Sequence, residues 1–201
     1  MKSGSIDELT RDVFRIYQEI ERSNRRIRMK TGLHCITPCG QCCWSRTIEA
    51  TVTEVIPLVA HLLREQCLEP VIDRLDRSEP GDLCVLFSPN LEPGRDGFCT
   101  QYRYRPLVCR TFGFSARRNK DGVPVPQVCR LVKQSDPSSV ARFDIQCRTG
   151  MVPTMQTYFQ RIAALEPIRG YRLMPINQAL KDCIDMFFWR KPRLFKIRKA
   201  S

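Results

Sequence analysis

The chain has 201 residues, of which 42% are hydrophobic and 27% charged, a balance typical of a globular protein that argues against general disorder. Its 33 Lys and Arg outnumber 21 Asp and Glu, and the formal charge of +12 favours acidic or phosphate-rich partners. No stretch approaches the roughly 20 apolar residues of a membrane-spanning helix. The N-terminus lacks the apolar segment of a secretory signal, so we expect a cytoplasmic protein without a transmembrane segment.

Residues 5–30 predict an N-terminal amphipathic helix. Ser5 and Glu8 have the spacing of a capping box, and Gly32 is placed to end the helix. The far end of the helix is basic and carries Arg22, Arg25, Arg26, Arg28 and Lys30. We expect the helix to pack on the core with this basic face in solvent, where an acidic protein or a nucleic acid is a candidate partner.

The first cysteine run lies in residues 33–48, which we expect to be irregular. Four of the eleven cysteines fall within nine residues: Cys35, Cys39, Cys42 and Cys43. A Cys-x2-Cys step is the spacing at which a tight turn points two sulfurs at one metal ion. Adjacent side chains diverge, so Cys43 is expected to serve a second centre or the opposite face of a polynuclear one. Disulfides are the alternative, but the odd cysteine count and the missing signal sequence favour metal.

Two helices are predicted next. Thr53 is the expected N-cap of the first, and Pro57 is early enough that its missing N–H costs no helical hydrogen bond. The buried stripes of the two helices are expected to contain Val55, Val59, Leu62 and Leu63, then Leu68, Val71, Ile72 and Leu75.

From residue 81 to 130 the pattern predicts two β-hairpins. One joins Cys84–Phe87 to a strand from Phe98, and the other joins Phe112–Phe114 to Val123–Val125. This region contains four more candidate ligands: Cys84, Cys99, Cys109 and Cys129. Cys84 and Cys99 would converge on the two limbs of the first hairpin.

Cys109 has a distinctive local sequence, Arg105-Pro-x-x-Cys109-Arg110. Pro106 is suited to start a helical turn that places Cys109 one turn further on. The flanking Arg105 and Arg110 would offset the negative charge of a thiolate centre, although an ordinary salt bridge is the alternative role.

At this point the sequence resembles a known family, the YkgJ-type cysteine-cluster proteins, which are described as zinc- or iron-chelating. The resemblance covers about residues 33–130 and is carried by the first four cysteines, then Cys84, Cys99, Tyr102, Arg105-Pro106, Cys109-Arg110 and Phe112. It implies a zinc or iron centre. Flagellin lysine methylases look related to the same family, so the resemblance also allows the role of a protein-modification enzyme. The stretch Ser88–Gly97 is longer than the short turn expected there and marks a candidate protein-specific surface.

Helices are predicted again over residues 153–165 and 175–189, followed by a basic tail with interleaved apolar residues. We therefore predict a single domain over 1–201, mainly α with short β-hairpins around a cysteine-rich metal-binding core. The core is residues 33–130, between the helix of residues 5–30 and a helical extension over 137–201. The basic tail is a second candidate surface for acidic protein or nucleic acid.

Three functional classes remain open. The first class is a metal-centre protein. Two zinc sites would use all eight candidate ligand cysteines and have a structural role, whereas a [4Fe-4S] cluster on four of them would have a role in redox or metal handling. The Cys-x3-Cys-x2-Cys spacing also matches radical SAM enzymes, but Gln41 and the missing strand–helix alternation oppose this. The third class is a nucleic-acid or assembly factor with a zinc-stabilised core.

The remaining cysteines and the two histidines have other expected roles. Cys67 and Cys183 are expected to be buried structural thiols, and Cys147 is a candidate supplementary ligand. His34 is expected in solvent or near the metal ligands, and His61 in the core.

Overall fold

The computed structural model describes residues 5–35, 40–89 and 97–190. Cys39, residues 90–96 of the predicted long loop, and the basic tail after residue 190 lie outside these ranges. The described helices are α1 (Ile6–Thr31), α2 (Val52–Arg64), α3 (Glu69–Asp76), α4 (Leu107–Thr111), α5 (Arg130–Ser135), α6 (Pro137–Arg148), α7 (Met155–Leu165), α8 (Pro167–Gly170) and α9 (Ile176–Arg190). Two 3-10 turns cover Gln41–Trp44 and Tyr102–Tyr104.

The described strands are short: β1 (Glu49–Ala50), β2 (Phe87–Ser88), β3 (Phe98–Cys99), β4 (Ser115–Arg118), β5 (Pro124–Gln127) and β6 (Met174–Pro175). They form three two-stranded antiparallel ribbons, β1–β6, β2–β3 and β4–β5. The described chain is therefore mainly α with short β-hairpins, as predicted. These ribbons do not form the barrel of alternating strands and helices that radical SAM chemistry would favour.

The ends of α1 confirm Ser5 as its N-cap and Gly32 as the residue that ends it. The Ser5 hydroxyl accepts a hydrogen bond from the Glu8 backbone N–H at 3.3 Å, as an N-cap does. At the other end Gly32 has φ +75°, and its N–H donates to the Arg28 carbonyl at 2.9 Å.

The start of α2 differs from the prediction. Its N-cap is Thr51, not Thr53. The Thr51 side chain accepts from the Glu54 N–H at 3.2 Å, and the Glu54 carboxylate accepts from the Thr51 N–H at 3.3 Å. Because the helix begins at Val52, Pro57 lies inside it and cannot donate to the Thr53 carbonyl. The expectation that this proline costs no helical hydrogen bond was wrong.

Both predicted hairpins form, with shifted limits. In the first, Phe87 pairs with Cys99, while Cys84 lies in the turn before β2 and its carbonyl accepts from the Phe87 N–H at 2.9 Å. In the second, β4 begins at Ser115 because Phe112 still closes α4, its N–H donating to the Val108 carbonyl at 3.0 Å.

The helices enclose three groups of buried apolar side chains. The largest lies among α2, α3 and α9; the second is built from the end of α1, β4 and α6; the third joins α1 to α7. The predicted stripes of α2 and α3 are in the first group, with Leu63 and Ile72 only partly buried. None of the helices that the structure describes has the length and apolar character needed to cross a membrane. The predicted domain limits stay a prediction.

Candidate metal centre

Five cysteines from four separate segments are close enough to influence one another's ionisation. Cys42 and Cys43 occupy the first 3-10 turn, where the Cys43 N–H donates to the Gly40 carbonyl at 2.8 Å. Cys84 lies before β2, Cys99 ends β3, and Cys109 is in α4. All five are free thiols in this structure, and Cys42 is the exposed member of the group.

The ionisation of these thiols is coupled. A hydrogen bond from the Cys43 thiol lowers the pKa of Cys42, and the same bond raises the pKa of Cys43, which burial and the neighbouring thiols raise further. Burial raises the pKa of Cys84 to about 12, and Cys99 adds to this.

Cys109 and Cys99 show the same behaviour. Burial is the main cause of the raised pKa of Cys109, and the charges of Cys84, Cys99 and Cys42 reinforce it. Burial also raises the pKa of Cys99, against a backbone hydrogen bond and Arg105, which both lower it. These neighbourhood effects show that the five sulfurs share one electrostatic environment. The raised pKa values favour neutral thiols, and a bound cation would stabilise the thiolate forms instead.

The donor chemistry fits a soft metal. Cysteine thiolates are the preferred ligands of zinc and of iron–sulfur clusters. Within the ranges that the structure describes, no three His, Cys, Asp or Glu side chains are close enough to hold one ion together. Cys35 is exposed at the end of the first described range, and Cys39 lies outside those ranges.

Arg105 lies against this group of thiols. Its guanidinium donates to the Cys109 carbonyl at 3.0 Å and to the Tyr102 carbonyl at 2.7 Å, and it stacks 3.9 Å from the centre of the Tyr102 ring. Its positive charge lowers the pKa of Cys42, Cys99 and Cys109, although burial outweighs it at the last two. The role predicted for Arg105 beside a thiolate centre is compatible with this position.

Arg110 has different contacts. Its side chain is only 3% exposed and donates to Glu21 at 2.7 Å and to the Arg103 carbonyl. Its guanidinium carbon lies 4.2 Å from the centre of the Tyr17 ring. These contacts fasten the Cys109 segment to α1, which is the salt-bridge role that the sequence left open.

Helices α1 and α2 supply supporting residues that the sequence analysis missed. Asn24 donates to the Arg110 carbonyl at 3.0 Å, and the Tyr17 hydroxyl donates to the Glu54 carbonyl at 2.6 Å. The Glu54 carboxylate accepts from the Leu107 N–H at 3.1 Å, at the start of α4. One signal was available: Tyr17 and Asn24 are seven residues apart within the apolar stripe of α1, so they share its buried face.

The other predicted ligand, Cys129, lies elsewhere. It is the N-cap of α5, where its sulfur accepts from the Val132 N–H at 3.4 Å, and it packs on the second core group. Cys147 is fully buried in that same group, and burial raises its pKa to about 12. Neither residue is among the groups that shift the pKa values of the five thiols.

The two remaining cysteines and the two histidines differ in how deeply they are buried. Cys183 is fully buried on α9, as expected, whereas Cys67 is only partly buried against the largest core group. His61 is partly exposed and stacks 3.9 Å from the Tyr104 ring. His34 is exposed at the end of α1.

A group of cysteines with an arginine at its edge is typical of metal-binding proteins of the cysteine-cluster class. The family model described as "CxxCxxCC: Putative zinc- or iron-chelating domain" matches residues 34–148, more than half of the chain, and the chain belongs to this family. The first interval of the motif has three residues here, against two in the family's name. Comparison with curated proteins and with solved structures found no significant match.

Proposed function

We propose that the chain binds zinc or iron through a thiolate centre built from Cys42, Cys43, Cys84, Cys99 and Cys109. Cys35 and Cys39 of the opening motif complete the proposed ligand set. The observation that carries this proposal is the convergence of the five thiols from four segments into one electrostatic environment. A [4Fe-4S] cluster and zinc both suit this ligand set.

The proposed role of the centre is to hold the fold. The segments that carry the thiols have little regular structure of their own: a 3-10 turn, a two-residue ribbon and a five-residue helix. A metal bound by thiolates from all of them would cross-link these segments and contribute folding free energy directly. An iron–sulfur centre at the same place would add electron transfer.

Cys129 is left out of the proposed set. Its sulfur already serves as the cap of α5, and its packing is with the second core group. The ligand role predicted for it from the sequence stays a prediction, and a serine substitution tests it separately.

The test is anaerobic purification followed by elemental analysis and a visible spectrum. We expect a bound metal, colourless for zinc and brown for an iron–sulfur cluster. A metal-free protein that is nonetheless folded would contradict the proposal.

Two matched variants locate the centre. Cys84 and Cys67 are both partly buried against the largest core group, but only Cys84 belongs to the five thiols. We expect Cys84→Ser to lose bound metal and Cys67→Ser to keep the full stoichiometry. Full metal content in both variants would remove Cys84 from the ligand set. Cys129→Ser is expected to retain its metal, and loss of metal there would make Cys129 a ligand.

A further inference from the structure

The outer face of α1 carries a groove beside the opening cysteine motif. The groove has a volume of about 310 Å³ and is lined by Glu21, Arg25, Arg28, Met29 and His34. The first four are spaced three or four residues apart, or are neighbours in sequence, so they share one helical face. His34 directly precedes Cys35, which places the groove at the start of the motif.

The charge of this groove is positive. Its one carboxylate, Glu21, already accepts hydrogen bonds from Arg105 at 3.0 Å and Arg110 at 2.7 Å. These two cations neutralise the charge of Glu21. Among the residues that the structure describes, neither Arg25 nor Arg28 has a carboxylate partner, so two guanidinium groups line the groove without a described counter-ion.

Arg28 packs on an aromatic ring, and one of its N–H donors has no described hydrogen-bond partner. Its guanidinium carbon lies 5.0 Å from the centre of the Phe114 ring, a cation–π contact that restrains the side chain. Its Nε is buried and has no hydrogen-bond partner in the described part of the chain. A buried N–H without an acceptor is unfavourable, and an oxyanion is the acceptor that guanidinium groups bind best.

The groove lies near the C-terminal end of α1, where the helix dipole disfavours anions. Arg142 offsets this effect, because its Nε donates to the Thr31 carbonyl at 2.7 Å, at the last residue of the helix. The local electrostatic potential is therefore positive, because Arg25, Arg28 and Arg142 contribute to it and the charge of Glu21 is neutralised.

We propose that this groove binds the oxyanion group, phosphate or carboxylate, of a small ligand. Arg25 and Arg28 would hold the anion, and Arg28 Nε would donate one of the hydrogen bonds. The bound anion would lie beside the residues that open the cysteine motif. The proposal goes beyond metal binding and does not depend on it, since none of the residues that hold the anion is a proposed metal ligand.

The experiment uses the full chain as purified, labelled with ¹⁵N so that the arginine Nε–H signals are observed by NMR. Inorganic phosphate and acetate are titrated separately, with chloride added to keep the ionic strength constant. We expect a saturable shift of the Arg28 Nε–H signal with at least one anion. Tighter binding of phosphate identifies a phosphate-bearing ligand, and tighter binding of acetate identifies a carboxylate. A signal that does not move, or moves without saturation, with both anions would overturn the proposal.

A charge-matched pair of variants separates a built site from general attraction to a basic protein. Arg25 lines the groove, while Arg26 is an exposed arginine of the same helix that does not. We expect Arg25→Gln to weaken anion binding about tenfold, the effect of one lost charge-assisted hydrogen bond. Arg26→Gln should change binding less than about twofold, because exposed charges are screened. Equal weakening in the two variants would show diffuse electrostatics and overturn the proposal. Metal content is measured on the same samples, so failure here is distinguishable from failure of the proposed metal centre.

Discussion

Glu21 joins the two arginines that flank Cys109 to helix α1. One of its carboxylate oxygens accepts from Arg105 at 3.0 Å and from Arg110 at 2.7 Å. The Arg110 side chain is 3% exposed and that of Glu21 37%. Removing the carboxylate would therefore leave a buried cation without its counter-ion, and this is more unfavourable than the loss of one hydrogen bond.

We expect Glu21→Gln to lower the free energy of unfolding by about 1–3 kcal/mol, below the full penalty of a broken buried pair because Glu21 is partly in water. Urea denaturation measures this change. Glu19→Gln is the control, since Glu19 pairs with Arg161 at 2.7 Å on the same helix but both side chains are more than 30% exposed (34% and 44%). It should lose less than about 1 kcal/mol. Equal losses would show that the burial of Arg110 does not decide the effect.

At the scale of elements, Glu54 connects the start of α2 to the start of α4. Its carboxylate accepts from the Thr51 N–H in its own helix cap and from the Leu107 N–H two residues before Cys109. Burial raises the pKa of Glu54 to about 7, against these hydrogen bonds, which lower it. The neighbouring ionisable group is Tyr17 on α1, whose pKa is raised by burial and further by the charge of Glu54, while Arg110 lowers it.

This raised pKa predicts a pH dependence of stability. Between the ordinary carboxyl pKa of 4.5 and about 7, the folded chain keeps a proton on Glu54 that the unfolded chain has lost. The folded state then binds more protons, so the contribution of Glu54 to stability falls as pH rises through this window.

The glutamine in Glu54→Gln does not titrate, so this variant lacks the pH-dependent contribution of Glu54 to stability. We expect the free energy of unfolding of the variant, relative to the unmodified chain, to improve by up to about 3 kcal/mol between pH 4.5 and 7.5. Denaturation at several pH values measures the difference. A difference that stays constant with pH would show that Glu54 has an ordinary pKa in the fold.

Local sequence signals predicted most of these elements. Apolar periodicity and the caps of α1 were sufficient because the forces that form a helix act over three or four residues. The start of α2 was misplaced by two residues, although Thr51 stands three before Glu54, as a capping box requires. Thr53, the expected N-cap, is instead buried in the first turn.

The candidate site was predictable in its cysteines and in Arg105. Their spacing and the Arg-Pro-x-x-Cys-Arg segment indicated Cys84, Cys99 and Cys109 without any knowledge of the fold. Glu21 could not be found in this way, because its bonds to Arg105 and Arg110 join residues 84 and 89 positions apart. Such contacts depend on how α1 packs on α4, and no local pattern encodes that packing.

At the scale of the whole molecule, Asn177 ties the C-terminal helix to the Cys84 segment. Its side-chain amide donates to the Leu83 carbonyl at 3.0 Å and accepts from the Val85 N–H at 3.1 Å. The two backbone groups on either side of Cys84 are therefore both satisfied by one side chain of α9. The neighbouring Gln178 is exposed, and among the described residues its side chain bonds to Asp182 of the same helix at 2.6 Å.

We expect Asn177→Ala to lower the free energy of unfolding by about 2–4 kcal/mol, since two backbone groups, the Val85 N–H buried among them, lose their partners. Gln178→Ala should cost less than about 0.5 kcal/mol, as is usual for an exposed position. Chemical denaturation of both variants tests this. A small loss in Asn177→Ala would mean that water replaces the amide without penalty.

The tie between Asn177 and the Cys84 segment also bears on the order of events during synthesis. The bonded residues are 92 and 94 positions apart, and the five cysteines of the candidate centre are synthesised before Asn177. While α9 is still being translated, the Leu83 carbonyl and Val85 N–H have no side chain to hold them, and α2 lacks the helix that packs along it. A metal ion that binds the nascent thiols in that interval binds before the Cys84 segment has its hydrogen bonds to Asn177. The final arrangement around Cys84 is therefore reached only after translation has passed residue 177.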